Sequence, residues 1–166
     1  MSLRGSLAAA LAFVALTACT GGPDPNVTES GAGKPQLSAE FPEAAGPGDV
    51  VTAVLQISNP GPQDMDSIVV SFVRVGDPSL PAPIVEPRKG RKQSGIEDIR
   101  PEPRGESPSD ATYAFQGIPE GESVTIEFDL RLPEEPGTVG NSVQVYDGSE
   151  VDRAAGVRLE IDVQAT

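Results

Sequence analysis

The stretch "SVTIEFDLRL", residues 123–132, decides the fold. Its apolar side chains, Val124, Ile126, Phe128, Leu130 and Leu132, alternate without interruption with Thr125, Glu127, Asp129 and Arg131. A period of two sends one set to a buried face and the other to water, the mark of a half-buried β-strand. The 3.6-residue period of a helix would scatter the same residues around its circumference. The pattern recurs on both sides of that stretch. In "VRLEIDV" (157–163), Val157, Leu159, Ile161 and Val163 oppose Arg158, Glu160 and Asp162. In "DVVTAVLQIS" (49–58), Val51, Ala53, Leu55 and Ile57 share a face opposite Thr52 and Gln56. "NSVQVYD" (141–147) offers Val143 and Val145, and the nearly all-apolar "SIVVSFVRVG" (67–76) is read with Ile68, Val70 and Phe72 inward. A shorter strand is expected at "TYAF" (112–115) and an edge strand at "QLSAEF" (36–41), where Pro35, Pro42 and Pro47 would blunt an open edge.

Strands of this kind with turn signals between them, such as "NPGP" at 59–62, predict an all-β chain. The expected architecture is an immunoglobulin-like β-sandwich of about seven antiparallel strands, each sheet with one wet face. Composition agrees: Gly 18 and Pro 17 suit short strands joined by turns, and aromatics at 4% leave a core built mainly on Val, Leu and Ile.

Three segments also carry a resemblance. "VVTAVLQISNPGPQDMDSIVVSF" (50–72), "GIPEGESVTIEFDL" (117–130) and "PGTVGNSVQVYDG" (136–148) resemble bacterial immunoglobulin-like modules of the CARDB (cell-adhesion-related) type. In such modules an Asn-x-Gly turn, here Asn59-Pro60-Gly61, ends the second strand, a Gly precedes the penultimate strand, and the last hairpin is acidic. The likeness covers 48–75 and 117–163. It departs at Arg153-Ala154-Ala155-Gly156, where an Asn-Asn pair is often seen, and the Cys and Trp hallmarks of antibody-type domains are missing. What the resemblance implies is chiefly a fold, since this architecture hosts many unrelated roles.

Residues 1–18, "MSLRGSLAAALAFVALTA", place Arg4 before an apolar run from Leu7 to Ala18. That run is short of the roughly 20 residues a transmembrane helix needs, and it matches an export signal followed by small residues at a cleavage point. Leu16-Thr17-Ala18-Cys19 resembles the bacterial lipobox, which implies cleavage before Cys19 and a lipid on its thiol. An ordinary secretory signal followed by a chance Cys, or a buried helix, are the competing readings; polar Gly/Pro-rich sequence follows at once and opposes the second. One acyl chain binds a bilayer only marginally, at about 0.8 kcal/mol per methylene, whereas the two or more chains of a lipoprotein anchor it. The expected organisation is a lipoprotein signal peptide at 1–18, a flexible tether at 19–35 carrying lipidated Cys19, and a β-sandwich domain at 36–166. Thr20 to Pro35 as a flexible coil would reach roughly 20–25 Å. The expected address is the extracytoplasmic face of a bacterial cell membrane.

Absences narrow the chemistry. The chain has no His, which removes Ser-His-Asp and Cys-His nucleophile activation and imidazole metal ligands. Its single Cys cannot form an internal disulfide. Lys34, Lys89 and Lys92, the only lysines, fall in predicted loops, which opposes Ser-Lys catalysis. Carboxylate pairs such as Glu134-Glu135, or Glu127 with Asp129, have nothing to place them in a cleft. No enzymatic activity and no cofactor are expected. The net charge of −13 opposes nucleic-acid binding, which needs a basic footprint.

The longest break in the strand pattern spans 76–111, far beyond an ordinary connection. It holds Arg88, Lys89, Arg91, Lys92, Arg100 and Arg104, six of the 12 basic residues. Arg88, Lys89, Arg91 and Lys92 are candidates to touch anionic lipid headgroups or an anionic wall polymer, at about 1 kcal/mol per charge near a surface. The plain alternative is a Pro-rich, solvated insertion that balances a negative body. Ile84, Val85, Ile96 and Ile99 leave room inside it for a short strand or a partner-docking segment. "YDGSEVDR" (146–153) clusters Asp147, Glu150 and Asp152, a candidate Ca²⁺ site that lacks an EF-hand ligand ladder, against the simpler reading of an acidic hairpin turn. The function expected from all this is a non-enzymatic, lipid-anchored envelope protein presenting an immunoglobulin-like module to a protein or cell-wall polymer. The alternative is an extracytoplasmic β-sandwich that binds a small ligand or ion.

Overall fold

A computed structural model describes residues 34–73, 82–86, 95–107, 111–148 and 150–165, together with the backbone of 27 and 28. The strands are β1 (Val27–Thr28), β2 (Gln36–Glu40), β3 (Ala44–Ala45), β4 (Val50–Ser58), β5 (Ser67–Val73), β6 (Ile96–Arg100), β7 (Gly105–Ser107), β8 (Thr112–Gln116), β9 (Ser123–Arg131), β10 (Gly137–Asp147) and β11 (Ala155–Val163). They form a five-stranded sheet in the order β1-β2-β4-β9-β6 and a six-stranded sheet in the order β3-β11-β10-β5-β8-β7. The expected immunoglobulin-like β-sandwich is the fold observed.

Alternation in the sequence becomes alternation in burial. On β9, Ile126, Phe128 and Leu130 are fully buried, and on β4 so are Ala53, Leu55 and Ile57, with Ala53 registered on Phe128 and Leu55 on Ile126. Ile68, Val70 and Phe72 of β5 face inward as expected, as do Val157, Leu159, Ile161 and Val163 of β11. Phe128 sits at the centre of the core, with Phe72, Tyr113 and Phe115 meeting it edge-on at centroid distances of 5.0, 5.7 and 6.3 Å. Edge-to-face contacts suit the ring quadrupoles and add to the burial itself. Three of those rings come from the six-stranded sheet and Phe128 from the other, so this cluster fastens the two layers together.

Three features differ from the sequence reading. Not every pair is antiparallel: β3 runs parallel to β11, with Ala44 beside Asp162 and Ala45 beside Val163. After β2 the chain crosses from one sheet to the other at 41–43. The N–H of Asp162 then donates to Glu43 O at 3.0 Å and that of Gln164 to Ala45 O at 2.9 Å. Second, Val27 and Thr28, read as part of the tether, pair with Ser38 and Leu37 of β2.

Third, the 76–111 stretch is partly built into the sandwich. β6 and β7 add one edge strand to each sheet. β6 escapes a period-of-two reading because its register shifts between Ile96 and Asp98, an irregularity that spaces the half-buried Ile96 and Ile99 three residues apart. Residues 82–86 lie beside β10. There Ala82 bridges Val139 in parallel, Gly140 N–H donates to Ala82 O at 2.9 Å, and Ile84 and Val85 are buried in the core. Ile84 and Val85 are therefore core residues and not a free docking segment.

Candidate functional site

Cys19 and the four candidate surface cations, Arg88, Lys89, Arg91 and Lys92, lie outside the described residues. The other two cations of that stretch are engaged. Arg100 Nε donates to Glu127 Oε2 at 3.0 Å, Nη1 to Asp98 Oδ2 at 2.5 Å and Asp129 Oδ2 at 2.8 Å, and Nη2 to Asp129 Oδ1 at 3.0 Å. Thr52 Oγ1 adds a 2.7 Å hydrogen bond to Asp129. These bonds, Arg100 first and Thr52 second, hold the Asp129 carboxyl below its ordinary range, while Asp129, then Glu127 and Asp98, push the guanidinium higher still. Glu127 and Asp129 are thus an exposed cross-strand ion network and not an acid–base pair. Arg104 donates to Gln116 on β8.

Where the chain passes from β6 to β7 it borders an open groove of about 610 Å³. Ile99 and Tyr113 lie against it, with Glu102 and Glu106 on its rim. Two further lining carboxylates are already paired, Glu97 with Arg131 at 2.6 Å and Asp98 with Arg100. Burial, and secondarily the charge of Glu106, push the Tyr113 phenol up to about 12, so at neutral pH it is a protonated hydroxyl and not a base. The groove holds no nucleophile activated by a base.

At one pole of the sandwich, the turns 59–66 and 147–153 enclose a smaller groove of about 400 Å³. Two of the three Ca²⁺ candidates, Asp147 and Glu150, line it, and they turn to other partners. Asp147 Oδ1 accepts the Ser67 N–H at 3.2 Å, and Glu150 pairs with Arg153 three residues on at 3.2 Å. Asp152 is exposed on the 3₁₀ turn Val151–Arg153. Among the described residues no group of three or more His, Cys, Asp or Glu side chains comes together to hold a metal. The structure thus brings the trio to one hairpin as an acidic turn and does not converge it on an ion.

Sequence reasoning missed the two residues that organise these loops. Asn59 and Asn141 are 2% and 5% exposed, buried polar groups in an apolar core. Asn59 Nδ2 donates to Gln63 O at 2.7 Å and Ile118 O at 2.9 Å, and its Oδ1 accepts the Gly61 N–H at 2.9 Å. The neighbouring loop comes so close that a Cβ on Gly117 would stand 1.8 Å from Met65 O, which only glycine permits. Asn141 Oδ1 accepts the N–H groups of Ile84 at 3.0 Å and Val85 at 2.9 Å, and its Nδ2 donates to Val85 O at 2.9 Å. The Asn-x-Gly pattern marked Asn59 as a turn residue. Nothing local marks Asn141, whose partners are more than fifty residues away in sequence.

No protein-family model matches this chain, and no curated protein matches it. Solved structures similar to it include the ASH/PapD-like domain 7 of human CEP192, at 13% identity and a TM-score of 0.42, over 100% of this chain and 96% of that one. Another is a fragment of the human F-spondin reeler domain, at 13% identity and a TM-score of 0.44, over 77% of this chain and 92% of that one. A family 123 glycoside hydrolase from Clostridium perfringens aligns at 12% identity and a TM-score of 0.39, over 78% of this chain but 27% of the enzyme. The assignment of the fold rests on the two sheets themselves.

Proposed function

We propose that this chain is a non-enzymatic, lipid-anchored protein of the bacterial cell envelope, held on the extracytoplasmic face of the membrane and presenting its immunoglobulin-like module to an envelope protein or anionic wall polymer. One observation carries the reading. Leu16-Thr17-Ala18-Cys19 closes an apolar run that begins at Leu7 and is followed at once by polar, Gly/Pro-rich sequence ahead of the sandwich strands. A run of that length, too short to span a bilayer, suits export and anchoring. The ion-paired carboxylates and protonated Tyr113 support a surface that binds and does not catalyse.

The test is Cys19→Ala in the expressing cell. The native product is expected in the membrane fraction with a lipid-sized mass increment on Cys19, and the variant in the soluble extracytoplasmic fraction. Membrane retention of the variant, or an unmodified Cys19 in the native protein, would overturn the proposal. Crosslinking in intact cells is expected to capture a reproducible partner. Because 82–86 and 96–107 are woven into the sandwich and cannot be deleted, the part of the basic stretch in that capture is read by reversing Arg88, Lys89, Arg91 and Lys92 to Glu.

A further inference from the structure

We infer that the sandwich lies against the bilayer along its β1–β2 edge, with the β6–β7 edge turned away, instead of standing off on a long tether. The inference rests on the lipid-anchor reading of Cys19 and adds an orientation to it. Its starting point is β1: Val27 is registered on Ser38 and Thr28 on Leu37, and the strand also lies against β11 of the other sheet. The chain is therefore tied to the body at Val27, well before Pro35, and only Thr20–Asn26 separate that tie from Cys19. Eight residue steps span at most about 26–29 Å when fully extended. As a flexible coil they average about 15 Å.

As a coil, that reach is shorter than the body is wide. In the five-stranded sheet β6 lies at the opposite end from β1, four strand spacings or roughly 19 Å across. Along the strands, Val27 sits level with Ser38 and Gln56, near the Ser58 end of β4. The Val50 end is about 20 Å further on, so setting that pole on the membrane would demand a tether stretched beyond its coil average.

The chain has no Trp, so a single introduced Trp reports its own distance from a lipid surface. Gln36→Trp on β2 and Glu102→Trp beyond β6, both exposed positions, are measured by energy transfer to dansyl-headgroup lipid in vesicles of neutral and anionic phospholipid. One arm uses the lipidated protein extracted from membranes. A second couples a chain beginning at Cys19, through that only thiol, to maleimide-headgroup lipid, so that orientation is read even if cells do not lipidate Cys19. Transfer is expected to be several-fold higher from Gln36→Trp than from Glu102→Trp in either arm. In a Gln36→Trp chain that also carries Val27→Pro and Thr28→Pro, which cannot donate to β2, the longer free tether should bring transfer down toward the Glu102→Trp value. Equal transfer from the two probes, higher transfer from Glu102→Trp, or no response to the paired prolines would each overturn the inference. Loss of membrane attachment in the first arm alone would instead strike at the anchor reading.

Discussion

Substituting Asn141→Leu tests whether one amide holds the 82–86 segment in the core. The side chain supplies three hydrogen bonds of 2.9–3.0 Å to Ile84 and Val85, which are 4% and 0% exposed. Leucine is close in volume, so the main loss is polar. If the segment stayed in place, three buried backbone groups would be left without partners, at about 1–3 kcal/mol each. If it came out, the apolar burial of two side chains would be forfeited, at about 1.5–3 kcal/mol each, but the freed backbone would recover about 1–2 kcal/mol per residue. Release costs less. The global loss should then approach the net contribution of three hydrogen bonds, roughly 2–4 kcal/mol. Denaturant unfolding reads that number, and amide hydrogen exchange at Ile84 and Val85 should change from protected to fast while β9 amides stay protected. Asn141→Asp adds a sign. Its oxygens can still accept both N–H groups, but ionised it faces Val85 O with a buried charge, so its folded pKa is raised above the usual value of about 3.9. Stability of that variant should be retained below pH ~4 and lost as pH rises through the raised value. A change of less than about 0.5 kcal/mol in Asn141→Leu, within ordinary surface scatter, with both amides still protected, would refute the clamp.

Two further outcomes follow from the core. Phe128→Ala removes the ring that three others meet edge-on and should destabilise by about 3–5 kcal/mol, measured as a shift in denaturant midpoint at constant slope. Tyr113 has a folded pKa raised to about 12, so its contribution is fully present below pH ~10 and is lost as pH rises toward the folded value. Alkaline unfolding of Tyr113→Phe should lack that fall.

Strands whose partners lie on one buried face were legible because alternation is local. β4, β9 and β11 could be read from ten residues each. β6 could not, since its register shift puts Ile96 and Ile99 out of step with a period of two. β3 is too short for any period and owes its place to β11. Ile84 and Val85 read only as room for a short strand or a docking segment, because what ties them into the core, Asn141, comes from β10. The Asp147, Glu150 and Asp152 trio shows the converse: acidic side chains adjacent in sequence find separate partners once folded, Ser67 N–H for one and Arg153 for another. Proximity along the chain says little about convergence in space.

The crossing from β2 to β3 has a mechanical consequence. By Ala45 the chain has been stitched first to one layer and then to the other. Since β3 and β11 point the same way, a pull that separates the two ends of the body slides these strands past each other, so their bonds must yield together and cannot be peeled one at a time. Pulled at its two ends, the sandwich would resist at that seam first.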